Sequence, residues 1–96
     1  MTPRSELCLS AQRALLGRIT PGLRLVKIKL NGHKIVFTAI SDPESLQDIA
    51  DLISEAAAEI IADFPESIIE EVYIASESPI KSENLIDEGW VYRRKE

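Results

Sequence analysis

Five carboxylates recur at Glu44, Asp48, Asp51, Glu55 and Glu59, at steps of four, three, four and four residues. That spacing matches the pitch of an α-helix, so all five fall on one ridge of a single helix. Carboxylates placed this way have two chemical uses. One can act as general acid while a neighbour stays ionised, but only if one of the pair is held in an apolar pocket; the spacing puts these five on the side away from the helix's apolar stripe. They can also hold a hard cation such as Mg²⁺, but that requires several oxygens converging from different elements, and a ridge offers a row. No catalytic, metal or cofactor site is therefore expected. The five residues are instead candidates for binding a partner, because a surface of one sign attracts a protein face of the other.

The rest of the chain carries little chemistry. His33 is the single histidine and Cys8 the single cysteine, so there is neither an internal disulfide nor a Cys/His set for zinc. His33 stands beside a turn with no nucleophile near it in sequence. Gly17, Gly22, Gly32 and Gly89 are too scattered for a phosphate-cradling loop. Lys27, Lys29 and Lys34 cluster, but without an interleaved aromatic they make a poor nucleic-acid signature. An enzyme, a nucleotide binder and a direct nucleic-acid binder are all disfavoured.

Charge is divided along the chain. Residues 42 to 66 carry eight carboxylates and no lysine or arginine, although the chain has 11 basic residues. Residues 1 to 41 sum to +6, residues 42 to 91 to -13 and residues 92 to 96 to +2, which gives the net charge of -5. Two readings are open. The halves attract each other within one fold, or an acidic face is kept for a basic partner. At 96 residues and 45% hydrophobic, the chain suits one soluble domain over residues 1 to 96. No apolar run nears the roughly 20 residues of a membrane span, and the N-terminus lacks the apolar core of a secretory signal. A cytoplasmic location is the expectation.

The elements that position the ridge can be read from periodicity. Thr2 before Pro3 marks a helix start. Leu7, Cys8, Ala11, Ala14, Leu15 and Ile19 share one stripe of this first helix, and Thr20-Pro21-Gly22 stops it. Leu9 and Leu16 fall off the stripe; either the helix is covered on a second side or a small apolar patch is exposed. Asn31-Gly32 between two alternating runs predicts a hairpin with a type I′ turn, pairing Leu30 with His33, Ile28 with Ile35 and Lys29 with Lys34. Val26, Ile28, Leu30, His33, Ile35, Phe37 and Ala39 then form the core face, with Lys27, Lys29 and Lys34 on the other. Opposed lysines are unfavourable, so these should look to water or to carboxylates from elsewhere.

Ser41-Asp42-Pro43-Glu44 reads as a helix start with a capping oxygen, a proline and acids at the positive end of the dipole. Leu46, Ile49, Ala50, Ile53, Ala56, Ala57, Ile60, Ile61 and Phe64 give this second helix its apolar stripe, and Pro65 ends it after about 22 residues, roughly 33 Å. Residues 67 to 78 read as the third strand, SPIKSENL as a loop and EGWVYRRKE as the fourth strand. Arg93, Arg94 and Lys95 are expected beside Glu70 and Glu71. The order α-β-β-α-β-β predicts an α+β fold, with a four-stranded, largely antiparallel sheet and both helices packed on one face.

Three stretches, SELCLSAQRALLGRITPGLR, EIIADFPE and WVYRRKE, resemble a family of small bacterial proteins that includes immunity proteins of contact-dependent growth inhibition systems. The likeness spans most of the chain, while the hairpin LVKIKLNGHKIVFTAI departs from that pattern in being richer in lysine. The resemblance implies a protein that binds and neutralises the toxic C-terminal domain of an effector, often a nuclease, inside the producing cell. It ties no motif to the contact. The alternative class is a structural or adaptor α+β domain, homodimeric through Leu9 and Leu16 or through a sheet edge.

Overall fold

The computed structural model describes residues 3–78 and 90–94. The elements are α1 (Pro3–Leu15), β1 (Leu23–Asn31), β2 (Lys34–Ser41), a 3₁₀ turn (Pro43–Ser45), α2 (Leu46–Asp63), β3 (Ile68–Ala75) and β4 (Trp90–Arg93). The expected cap Thr2, the loop residues after Ser78, and Lys95 lie outside the described residues. The class is α+β and the element order is as predicted.

The sheet is mixed. Its order is β3-β2-β1-β4, with β1 antiparallel to both β2 and β4, and β2 parallel to β3. Two of the three pairings are antiparallel, in rough accord with the largely antiparallel sheet expected; the parallel β2–β3 pair is the exception, and its cause is a matter of length. An 18-residue helix covers about 27 Å and an 8-residue strand about 26 Å, so α2 carries the chain from the end of β2 back to its beginning. There Ile68 N donates to His33 O at 2.9 Å, and β3 runs alongside β2 until Ser76 N donates to Ser41 O at 3.0 Å. β3 and β4 thus lie on opposite edges, which overturns the expected pairing of Arg93 and Arg94 with Glu70 and Glu71. Glu70 instead accepts Lys34 at 2.5 Å, and Arg94 bridges both oxygens of Asp42 at 2.9 and 3.1 Å.

The hairpin is real but turns one residue later than predicted. Asn31 pairs with Lys34, and the turn is Gly32-His33, with φ +64° at Gly32 and no positive φ at any described non-glycine residue. A positive φ at the first central position alone fits a type II′ turn, which places glycine there. From Leu25 to Asn31 each paired residue of β1 therefore faces a residue two further along β2 than expected: Ile28 faces Phe37, and Lys29 faces Val36 instead of Lys34. The like-charge opposition disappears. Because the slip is an even number of residues, side-chain faces are unchanged. Val26, Ile28, Ile35, Phe37 and Ala39 are buried as predicted, whereas Leu30 and His33, at the turn end, are exposed.

Both helices bury residues in the same cluster as those strands. Leu7, Ala11, Ala14 and Leu15 come from α1, and Ile49, Ile53, Ala56, Ala57 and Ile60 from α2. Ile19 does not join them, being 41% exposed, because α1 ends at Leu15 and Gly17, at φ +79°, turns the chain away. Full burial is worth about 1.5–3 kcal/mol per isoleucine. The three buried isoleucines of α2, Ile49, Ile53 and Ile60, thus outweigh the ridge's like-charge neighbours, which cost roughly 0.2–0.5 kcal/mol per pair. The start of α2 differs from the expected cap: neither Asp42 before the 3₁₀ turn nor Ser45 before α2 makes a side-chain cap hydrogen bond.

Candidate partner-binding surface

The apolar stripe of α2 faces the core, so the opposite side faces water. Glu44 on the 3₁₀ turn and Asp48, Asp51, Glu55 and Glu59 on α2 are all exposed there. The ridge is not without counter-charge. Arg18, in the turn after α1, donates from Nη1 to Ala14 O at 2.8 Å and to Glu59 Oε2 at 2.5 Å, and its Nη2 lies 3.9 Å from Glu55 Oε1. One cation is thus shared between two carboxylates at the C-terminal end of the ridge. Toward the N-terminal end, Asp51 has a long contact of 3.4 Å from Gln47 Nε2, and among the described residues no cation stands at ion-pair distance from Glu44, Asp48 or Asp51.

Asp63, at the end of the helix dipole that disfavours acids, has its own compensation. Buried Ser10 of α1 donates to it at 2.6 Å, and Arg13 approaches to 3.9 Å. These residues line a groove of about 310 Å³ between the two helices, together with Ala14, Glu59 and Ala62. Among the described residues no three His, Cys, Asp or Glu side chains converge on a point where a metal ion could sit. The lysines of the hairpin lie on the sheet face opposite the buried Val26, Ile28, Ile35 and Phe37, and Lys34 is engaged by Glu70. They do not screen the ridge.

Tyr73 ties β3 to this helix. Its hydroxyl lies 3.3 Å from Ala50 O and hydrogen-bonds the Glu71 carboxylate. Burial first, and then the bond to Glu71, push the phenol well above its ordinary value. The tyrosine thus stays protonated and serves as a hydrogen-bond donor beside α2.

A second feature escaped the sequence reading. Gln12, Leu15, Leu16, Gly17 and Ile19 at the end of α1 face Val91 and Tyr92 of β4 across an apolar groove of about 220 Å³. Its rim includes Leu16, just past the end of α1 and 75% exposed, while Leu9 on α1 is 44% exposed. The signal was present in the two leucines off the helical stripe. Of the two readings left open for them, the exposed patch is the one observed. What periodicity could not supply was β4 as the opposite wall.

Two helices beside a mixed four-stranded sheet, with a row of exposed carboxylates along the second helix and the turn before it, define a small α+β protein with an acidic face. The chain belongs to the MafI2 immunity protein family, whose model matches residues 4–96. That match takes in all three stretches on which the resemblance to immunity proteins rested. No curated protein sequence matches the chain. No helix among the described residues is long and apolar enough to cross a membrane.

Proposed function

We propose that this immunity protein binds the toxic domain of a partner effector through the ridge Glu44, Asp48, Asp51, Glu55 and Glu59, and that the toxin is a nuclease neutralised in the cytoplasm of the producing bacterium. The carrying observation is the exposed carboxylate row, whose first three members have no cation beside them among the described residues. A nuclease needs a basic cleft for its polyanionic substrate, and a fixed acidic row uses the same attraction. Such complementarity raises the association rate and rejects partners of the wrong sign. The role is binding, with no catalysis and no cofactor required.

The test is co-expression with the C-terminal domain encoded immediately upstream. That domain should be toxic alone and harmless with the wild-type protein. Reversal of the ridge in Asp51→Lys/Glu55→Lys/Glu59→Lys should abolish both binding and protection. Full protection by this triple variant would discard the ridge.

A further inference from the structure

We infer that the groove between the end of α1 and β4 is an apolar anchor site that receives one large apolar side chain from the basic face of the toxin. The inference deepens the reading above and rests on it. A ridge of exposed carboxylates brings a basic partner in quickly, but solvent-exposed charge contributes little to holding it. Residence depends on a few apolar or aromatic anchors seated in desolvated pockets. The described surface offers such a pocket close to the ridge: Leu15, Leu16, Ile19, Val91 and Tyr92 surround a concavity of about 220 Å³, room for one large side chain.

The pocket and the ridge are joined by one residue. Arg18 lies between Leu16 and Ile19 in sequence, with Gly17 at φ +79° turning the chain outward, and its guanidinium is held by Glu59 at 2.5 Å and faces Glu55 at 3.9 Å. With Arg18 spent on two carboxylates, the passage from groove to ridge carries net negative charge. The fitting occupant is thus an apolar side chain flanked by lysine or arginine, which sets the anchor in the groove and its neighbours against Glu55, Glu59 and Asp51. Leu16 is 75% exposed and Ile19 41%, so neither position is explained by the core of this chain.

The experiment measures binding of the toxin domain encoded upstream to three proteins: wild type, Leu16→Ser/Ile19→Ser and the ridge triple variant, at several salt concentrations. The groove variant should raise koff by about 30-fold or more, the signature of a lost hot spot, with kon and its salt dependence unchanged. The ridge variant should lower kon and flatten its salt dependence. Thermal unfolding of Leu16→Ser alone gives the folding control, since that side chain is mostly in water. A koff within about threefold of wild type for the groove variant overturns the anchor site. So does a shift from dimer to monomer in light scattering with toxin koff unchanged, which would assign the patch to a second copy of the chain. If only the ridge variant behaves like wild type, the ridge reading fails while the anchor stands.

Discussion

At the scale of single residues, neither Ser41 nor Asp42 takes the capping role its sequence context gives it. Each has an oxygen suited to capping a helix, yet Asp42 turns its carboxylate to Arg94, while the hydroxyl of Ser41 is fully buried with no hydrogen-bond partner among the described residues. The backbone of Ser41 is satisfied in part by accepting from Ser76 N at 3.0 Å, so the side chain alone is at issue. An orphaned buried hydroxyl costs about 1–3 kcal/mol in lost hydration, whereas deleting a working N-cap costs about 1 kcal/mol. The two roles therefore predict opposite signs. Ser41→Ala should leave the protein unchanged or more stable by about 1 kcal/mol in urea unfolding. A loss of that size would mean the hydroxyl has a partner and the cap reading was right.

At the scale of elements, α2 was legible because a helix announces which side is buried. Its stripe from Ile49 to Ile60 and its carboxylates from Asp48 to Glu59 both follow from spacing alone, whereas Glu44 falls on the 3₁₀ turn before it. The hairpin faces were legible for the same reason, surviving a turn displaced by one residue because the pairing slipped by two. Periodicity says nothing about which element arrives from elsewhere. Hence Arg18, 41 residues from Glu59, was not foreseeable as the ridge's counter-ion. Its effect is separable. The ion pairs are exposed on the carboxylate side, and exposed pairs contribute at most about 1 kcal/mol, so Arg18→Ala should change stability by less than that. It also uncovers two more carboxylates. If the ridge steers a basic toxin, Arg18→Ala should raise kon several-fold at low salt and steepen its fall as salt is added, read by stopped-flow mixing. An unchanged salt dependence would show that the partner does not feel that end of the ridge.

At the scale of the whole molecule, the divided charge is only partly spent within the fold. Arg94 pairs with Asp42, Lys34 with Glu70 and Arg18 with Glu59, and the remaining acidic excess on α2 faces solvent. Which acids fall into which group depends on strand order, and that order depends on α2 returning the chain for a parallel pairing, a long-range outcome that local alternation does not encode. The same order leaves β4, only four residues long, as an edge fastened at its end. There Arg94 gathers several parts of the chain: its backbone N donates to Arg24 O at 2.8 Å, its Nη1 reaches Pro21 O, and its fork spans Asp42 where β2 passes into α2. A lysine at this position keeps the charge but cannot bridge two carboxylate oxygens and a carbonyl together. Arg94→Lys should therefore cost about 1–2 kcal/mol, and Asp42→Asn/Arg94→Lys should cost less than the two single changes combined. The loss should also be local. Amides of β4 should exchange faster in the lysine variant while those of α2 keep their protection, because an edge strand opens without the core. Uniform acceleration across both would show instead that β4 unfolds only with the whole domain, and that the groove it walls is as permanent as the core.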